Sequence, residues 1–373
     1  MLSKTMLSFL LLVFFSACKE KFHPEVDKNT KNLLVVDGFI ETGGGQTSFR
    51  LTQTVDMVGP ITYREVPNAT LKIEGEDGTA ITAITNSAGV AEFATKLNNQ
   101  TQRYKLSIVT QEGKTYATNF LENKKAPEIT SIVPKIKEAG LQLEVNTEDN
   151  TNKTKYYGWT FEEVFEFESK LTSSLAKYAG KDSLMKVCWG NNFSKQILLA
   201  SSTRLSADRI SNFPLTFIDR NSKKISKVYS INLGQYALTE EGYNYLLNMK
   251  KNTEKIGSIF DPQPSETPGN IRCVSNPSEP VLGFVSCGAK STKRIFVHSS
   301  ELPLGWGNYI SCNPLVDTIE IWRGGRTKPH EELWMDFSER LNGNDTITVM
   351  VPTDCLDCSK TGINKRPTFW PKK

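Results

Sequence analysis

The stretch Ala69-Thr-Leu-Lys-Ile-Glu74, followed by Glu76-Asp-Gly-Thr79, is typical of the whole N-terminal part of this chain. Apolar Ala69, Leu71 and Ile73 alternate with polar residues, and a period of two puts them on one face of an extended strand. The Asp-Gly pair favours a tight turn because glycine adopts a positive φ without strain. The stretch therefore predicts one strand and the turn of a β-hairpin.

The same pattern recurs on both sides of this hairpin. Strands are predicted from Leu33 to Ile40 and from Thr47 to Thr52, on either side of Gly43-Gly44-Gly45, and again at 81–85, 90–95, 104–110 and 115–120. Short strands with regular turns are typical of a β-sandwich. Residues 33–122 are therefore predicted to form an all-β domain. Its strand-and-turn rhythm resembles the prealbumin-like, or Ig-like, and carboxypeptidase-regulatory-like sandwiches, a resemblance that implies no catalysis.

The triple glycine at 43–45 also invites comparison with a phosphate-binding loop. That loop requires a following Gly-Lys-Ser/Thr and a helix that opens directly after it. The sequence continues with Gln46-Thr-Ser and then alternates as a strand. A hairpin turn is therefore the prediction for these glycines.

A polar break at 123–127 is predicted to separate this domain from a larger β-rich domain at 127–373 with a few helices. Its longest strand is predicted from Tyr156 to Glu168. On a period of two, one face of that strand is aromatic with Glu163 as its single interruption. The glutamates of the opposite face are predicted to be solvated and not to form an acid–base pair or a cation site. The aromatic face consists of Tyr157, Trp159, Phe161, Phe165 and Phe167, and the opposite face of Thr160, Glu162, Glu166 and Glu168.

One helix is predicted inside this second region. Thr239 suits the N-cap, and Glu240 and Glu241 favour the positive end of the helix dipole. Covering the open side of a sheet is the predicted role of this helix. The fold class is therefore mainly β: an N-terminal sandwich followed by a larger β-rich domain.

The first eighteen residues predict export. Lys4 precedes an apolar run from Met6 to Phe15, which ends in Ser16-Ala17-Cys18. A run of about ten residues is shorter than the roughly twenty that span a bilayer as a helix, so it is predicted to be a removed signal peptide at 1–17. The small pair before Cys18 resembles the lipobox of bacterial lipoproteins, which implies that Cys18 is acylated. Residues 18–32 are charged and predicted to be a tether.

The net charge of the chain bears on its possible partners, and its cysteine content bears on disulfides. Removal of 1–17, with its one lysine, changes the formal charge from +4 to +3, and acids and bases are interspersed. A nucleic-acid partner is excluded on this ground, because phosphate binding requires a concentrated basic face. With Cys18 acylated, an even number of cysteines in an exported chain favours disulfides, and their pairing stays open. The candidates are Cys188, Cys273, Cys287, Cys312, Cys355 and Cys358.

Catalytic, cofactor and metal motifs are not found in the sequence. Of three histidines, His23 lies in the tether, and no nucleophile turn accompanies His298 or His330. The Cys355-x-x-Cys358 pair favours a disulfide over a redox or zinc site, because it has neither a thioredoxin-like context nor a second pair. We therefore expect no enzyme activity, no cofactor and no metal, and binding or scaffolding instead.

Four stretches together resemble one family of lipoproteins from Bacteroidetes, called domain of unknown function 4249. They are LVVDGFIETGGGQTSFRLTQT at 34–54, YYGWTFEEVFEF at 156–167, GNIRCVSNPSEPVLGFV at 269–285 and CLDCSKTGINKRPTFW at 355–370. The family is commonly encoded beside TonB-dependent receptors. The resemblance implies an accessory or substrate-capture protein of such a receptor, anchored in the outer membrane at the cell surface, and it implies no catalytic residues.

Two alternatives stay open beside that expectation. A structural or adhesive surface protein would use the sandwich as a spacer, and an extracellular hydrolase would build its site around His298 or His330. The charge order Lys19-Glu20-Lys21 also leaves the periplasmic face of the outer membrane open as a location.

Overall fold

The computed structural model describes residues 32–55, 63–169, 185–254, 268–307, 334–341, 345–352 and 357–371. Those ranges contain twenty-one strands, β1–β21, and one α-helix, α1. The predicted class, mainly β, is confirmed. The signal peptide and nearly all of the tether lie outside the described residues.

The strands before residue 127 are short. They are β1 Leu34–Glu41, β2 Ser48–Gln53, β3 Arg64–Glu65, β4 Thr70–Gly75, β5 Ala80–Ile84, β6 Val90–Glu92, β7 Tyr104–Val109, β8 Thr115–Thr118 and β9 Asn123–Lys125.

The remaining elements include the longer strands. They are β10 Ile129–Lys137, β11 Gly140–Glu148, β12 Tyr156–Glu168, β13 Val187–Phe193, β14 Leu198–Ser201, β15 Arg209–Asp219, β16 Val228–Ala237, α1 Glu240–Glu254, β17 Ile271–Cys273, β18 Ser286–Ala289, β19 Ser291–His298, β20 Trp334–Leu341 and β21 Asp345–Pro352.

The first sandwich packs two sheets around one apolar core. One sheet has the order β3-β2-β1-β18-β9, with β6 also paired to β2, and the other has the order β17-β8-β7-β4-β5. Leu71 and Ile73 are at most 1% exposed, and Ala69 just before β4 is fully buried, which confirms the inward face predicted for this stretch. Side chains from both sheets, such as Ile40 and Leu106, share the same core.

Two strands of this sandwich come from far along the chain, which corrects the predicted boundaries. β17 extends the second sheet beside β8, and β18 runs parallel between β1 and β9 in the first. A sandwich limited to residues 33–122 would lack both strands and would leave the edges of β1 and β8 unpaired. Residues 271–289 therefore belong to the first sandwich, although they lie within the predicted second domain.

The second sandwich packs the sheet β10-β11-β15 against the sheet β13-β12-β16-β19, with β14 also paired to β12. Leu141 and Leu143 of the smaller sheet meet Ile231 and Leu233 of the larger one in a shared core. The aromatic face predicted for β12 is confirmed in its main part, since Tyr157 is fully buried and the other aromatic residues contribute to that core. β20 and β21 form a separate hairpin.

The chain passes between the two sandwiches through a pair of adjacent strands. β9 leads into β10, β18 leads into β19, and β9 and β18 are hydrogen-bonded in parallel, Cys287 beside Asn123 and Gly288 beside Lys124. The Ala126 N–H continues the pairing to the carbonyl of Ala289 at 2.9 Å. The boundary predicted at 123–127 lies where the chain passes into the second sandwich, but residues 123–125 form strand β9, paired with β18, and not an unpaired linker.

Gln235 fixes this crossing to the second sandwich. Its side chain is fully buried, and its Nε2 donates to the carbonyl of Pro127 at 2.8 Å and to Thr147 Oγ1 at 3.0 Å. Its Oε1 accepts from Trp159 Nε1 at 2.9 Å. The ring of Phe39, from β1, packs edge-on against Tyr236, with 4.9 Å between centroids. The two sandwiches are thus joined by packed and hydrogen-bonded side chains as well as by the chain itself.

The predicted helix is present as α1. The Thr239 hydroxyl accepts from the Gly242 N–H at 3.1 Å, as expected of an N-cap, and Glu240 and Glu241 lie in the first turn. Tyr243 packs on Tyr156 of β12, and Tyr245 packs on Phe284 just before β18. The helix therefore covers the place where the chain returns to the first sandwich.

The glutamate face of β12 is not simply solvated, in contrast to the prediction. Glu166 is 4% exposed, and its Oε2 accepts from Trp370 Nε1 at 3.0 Å. Trp370 belongs to the C-terminal segment, whose Ile363 bridges to Trp189 of β13. The sequence pattern of β12 could not show this cover because the covering segment lies about two hundred residues further along.

A disulfide between Cys188 and Cys358, with Cα atoms 5.7 Å apart, holds that segment against β13. Cys358 therefore pairs with a distant cysteine and not with Cys355 of its own Cys-x-x-Cys motif.

Cys273 and Cys287, both disulfide candidates, are free thiols. They point into the core of the first sandwich from strands of its two different sheets, β17 and β18, which corrects the expectation for this pair. Cys18, Cys312 and Cys355 lie outside the described residues.

Candidate functional site

A cavity of about 610 Å³ lies where the two sandwiches meet. We call it the junction groove. Three segments that are distant in sequence line it: the stretch after β8, the start of α1, and the residues around β17 and β18. Side chains at its rim and walls include Phe120, Glu122, Lys124, Glu240, Arg272 and Phe284.

A second cavity, of about 500 Å³, lies at the same junction. It shares Glu122 and Lys124 with the junction groove and is otherwise lined by the crossing at 123–128 and the loop that holds Asp149. Burial alone would raise the pKa of Asp149, but hydrogen bonds from Thr151, Thr154 and the Lys153 N–H hold it well below its usual range. The Asp149 loop is therefore a rigid wall of this second cavity.

The junction groove carries charges of both signs. Lys124 pairs with Glu122, with Nζ and Oε1 2.7 Å apart, while exposed Arg272 and the exposed Glu240 and Glu241 lie elsewhere in its wall. The two glutamates oppose the positive end of the α1 dipole, so that helix terminus is not available as a simple anion site. Such a mixed lining suits a ligand or a protein loop with both polar and apolar parts.

One residue that lines the groove is a cysteine whose thiol points into the core of the first sandwich. Cys287 lines the cavity, and its side chain is buried. Burial, with a smaller contribution from the charge of Glu41, raises the pKa of the Cys287 thiol to about 12. Since the thiolate is the reactive form, Cys287 has a packing role at neutral pH.

The other sequence candidates are scattered over the structure. His298 is exposed at the end of β19, where its backbone N–H donates to Glu301 Oε2 at 3.3 Å, and it lines a cavity of about 300 Å³ with Glu166 and Trp370. His330 and His23 lie outside the described residues.

Within the described ranges, no group of three or more metal-ligating side chains is found. No described helix is long and apolar enough to cross a membrane.

The triple glycine wraps around a buried carboxylate. Glu41, at the end of β1, is 2% exposed, and its Oε1 accepts from the Gly43 N–H at 2.8 Å. A Cβ on Gly45 would lie 2.8 Å from Glu41 Cγ, and Gly44 has a φ of +81°. The predicted turn is thus confirmed, and its glycines are required by the Glu41 side chain and by backbone conformation rather than by a phosphate.

This contact predicts a specific coupling between two substitutions. Gly45→Ala should cost about 1–3 kcal/mol of unfolding free energy, because its methyl group overlaps the Glu41 side chain. In a Glu41→Ala background the overlap disappears, so the same change should cost well under half as much. Urea denaturation of the four proteins measures the coupling. Equal costs of Gly45→Ala in both backgrounds would show that the contact is not the reason for the glycine.

Sequence reasoning missed the junction groove as a whole. Phe120, Arg272 and Phe284 are unremarkable in their own segments, and only the non-local pairing of β17 and β18 brings them together. No local pattern in the sequence pointed to the groove.

The fold and site define a mainly β protein of two joined sandwiches with a groove between them. The chain belongs to the family called domain of unknown function 4249, whose model matches residues 19–294. No curated protein matches it. Among solved structures, a segment of two fibronectin type III domains from chicken tenascin matches at 10% identity and a TM-score of 0.17, covering 70% of this chain and 97% of that one. At that TM-score the likeness carries no argument.

Proposed function

We propose that this chain is a lipid-anchored accessory protein of the bacterial outer membrane, exposed at the cell surface, which uses the junction groove to hold part of a TonB-dependent receptor or its substrate. The export segment that ends at Cys18 supports the anchor, since several acyl chains on one residue give stable membrane attachment. The family resemblance supports the receptor. The proposal assigns no catalytic step to the chain.

The observation that carries the proposal is the paired crossing beneath the groove. A single linker would let two domains move relative to each other. Here β9 and β18 are hydrogen-bonded, and Gln235 and the contact between Phe39 and Tyr236 join the sandwiches as well. The groove is therefore preformed, and a partner binds it without first ordering the two domains, which lowers the entropic cost of association.

The size and composition of the groove are consistent with binding. Its volume of about 610 Å³ lies within the range of roughly 300–1,000 Å³ that small-molecule sites occupy. Phe120, 38% exposed, offers an aromatic anchor, and Arg272 offers a charged donor in the same lining. Aromatic and arginine side chains are the residues that most often dominate binding energy at interfaces.

Co-purification from outer membranes tests the proposal. The full chain should bring down a TonB-dependent receptor from mildly solubilised membranes. With the double variant Phe120→Asp/Arg272→Glu, the amount of recovered receptor should fall by a factor of at least about ten. Phe217→Asp is the control, because Phe217 is also an exposed phenylalanine, 48% exposed, but lies in the sheet β10-β11-β15 of the second sandwich, away from the groove lining. Repeated recovery of the chain alone would contradict the proposal.

The rigid crossing also favours a second candidate, a structural or adhesive surface protein in which the two sandwiches act as a stiff spacer. This candidate predicts that uptake of the receptor's substrate does not depend on the gene. A hydrolase built on His298 finds less support. That residue lies at a strand end, and no described serine or carboxylate pairs with its ring as a nucleophile or an orienting group.

A further inference from the structure

Glu163 is the charged residue on the inward, aromatic face of β12. It is 3% exposed, between Phe161 and Phe165, and each of its oxygens has a different partner. Oε1 accepts from the hydroxyl of Tyr229 at 2.8 Å, and Oε2 lies 2.5 Å from Lys224 Nζ. Burying a carboxylate in a sandwich core is costly unless it is paired and hydrogen-bonded, and both oxygens of Glu163 are.

The backbone of Lys224 is held in place by a short turn. It belongs to a short 3-10 turn, Lys223–Ile225, whose N-cap Ser222 accepts from the Lys224 N–H at 3.3 Å. Ile225, the next residue, is 1% exposed and anchors the turn in the core. The side chain of Lys224 is 24% exposed, so its amine reaches inward to Glu163 from the border of the core.

An amide carbonyl is within reach of the same amine. Asn192 of β13 is the direct cross-strand neighbour of Glu163, so the two side chains share a face of the sheet. The amide of Asn192 satisfies both of its ends in one orientation, with its nitrogen donating to the carbonyl of Asn191 at 2.8 Å. In that orientation its oxygen lies 3.2 Å from Lys224 Nζ.

The three side chains form a nucleophile, a base and an electrophile. An amine, a buried carboxylate and an exposed amide are held by three different elements, with Lys224 Nζ 2.5 Å from Glu163 Oε2 and 3.2 Å from the oxygen of the Asn192 amide. The geometry points to an intramolecular isopeptide bond between Lys224 Nζ and Asn192 Cγ, formed by the folded chain itself. Nothing in the proposed receptor-binding function requires this bond, and its failure would leave that function untouched.

The reaction balances without a cofactor. Glu163 accepts a proton from the Lys224 ammonium, and the neutral amine attacks the Asn192 carbonyl carbon. The Glu163 carboxylic acid then returns a proton to the amide nitrogen, the bond from that nitrogen to Cγ breaks, and the nitrogen leaves as ammonia. One carbon–nitrogen bond forms and one breaks. Because Asn192 is exposed, the ammonia leaves directly into solvent and carries away the surplus proton as ammonium.

The bond would lie next to the disulfide of the second sandwich. Cys188 and Asn192 both belong to β13, so one end of this strand is linked to the C-terminal segment and the other would be linked to the turn before β16. An edge strand with two covalent links resists detachment from the sheet. Such protection suits a chain outside the reducing cytoplasm.

Peptide mapping by mass spectrometry tests the inference on the full chain, reduced, denatured and digested with trypsin. We expect a branched peptide in which Lys224 is uncleaved and joined to the peptide of Asn192, lighter by one ammonia molecule than the two separate peptides. A wild-type chain in which Lys224 and Asn192 occur only in separate, unmodified peptides would overturn the inference, and the cluster would be a buried ion pair.

Four variants separate the roles of the residues. Lys224→Arg keeps the charge and Glu163→Gln keeps the shape, and both should abolish the branched peptide while circular dichroism shows a folded chain. Asn192→Asp should still link, with loss of water in place of ammonia. Asn191→Ser, next to the reacting residue, is the control and should link normally. A branched peptide of undiminished yield in Glu163→Gln would overturn the assignment of Glu163 as the base.

Discussion

Gly288→Ala is expected to lower the free energy of unfolding by about 3 kcal/mol or more. Gly288 lies in β18 between β1 and β9, and a Cβ there would be 2.0 Å from the carbonyl oxygen of Lys124 and 3.0 Å from its carbon. Because both atoms are backbone, no rotamer change relieves the overlap. Either β9 moves away from β18 or the pair does not form, and the crossing between the sandwiches is lost.

The measurement is chemical denaturation together with limited proteolysis at the crossing. The matched control is Gly234→Ala in β16, where a Cβ would be 3.4 Å from Thr160 Oγ1, an ordinary contact. That control should change stability by less than about 1 kcal/mol and could stabilise the strand by restricting the unfolded chain. Equal stability of the two variants would mean that the crossing is not tightly paired. A folded Gly288→Ala protein should also lose the preformed junction groove, and with it receptor recovery.

Local patterns in the sequence predict the local parts of this fold. The alternation at Ala69, Leu71 and Ile73, the aromatic face of β12 and the cap at Thr239 follow from side-chain periodicity and hydrogen bonding over a few residues. Each of these was predicted correctly because the physical cause lies within the stretch that shows the pattern. The class of the fold follows from the sum of such stretches.

The crossing and the groove could not be predicted in that way. β9 is only Asn-Lys-Lys, a polar triplet that indicates a loop, and it is a strand because β18, more than 150 residues further along, supplies its hydrogen bonds. The pairing of Cys188 with Cys358 and the cover of Glu166 by Trp370 depend on contacts of the same kind. Tertiary context decides such elements, and single-sequence propensity carries no information about it.

Glu163 shows the boundary between the two cases. The interruption of an aromatic face was visible in the sequence, and the structure shows that the charged side chain at that position is buried. Its partners, Lys224 and Asn192, come from a turn and a strand that carry no pattern of their own. A charged residue within an apolar face can thus be located from the sequence. The reaction that it could take part in can be inferred only from the side chains that surround it in the structure.

Gln235→Leu is expected to cost about 3 kcal/mol of unfolding free energy, although the two side chains have similar size. Leucine leaves two polar groups without the partner that Gln235 gives them, the buried indole N–H of Trp159 and the partly buried carbonyl of Pro127. Each buried polar group that loses its hydrogen bond costs roughly 1–3 kcal/mol. Thr147 is less affected, since its hydroxyl also donates to the carbonyl of Glu128.

A double-mutant cycle with Trp159→Phe separates this cause from a loss of packing. Trp159→Phe removes the indole donor and leaves Gln235 Oε1 unpaired, so each single change should destabilise the protein. In the double variant neither of these two atoms remains, and the combined cost should fall at least about 1 kcal/mol below the sum. Additive costs would show that the hydrogen bond between them contributes little. Because Gln235 also holds Pro127, its loss should loosen the crossing and weaken receptor recovery, whereas Trp159→Phe should leave that recovery near the wild-type level.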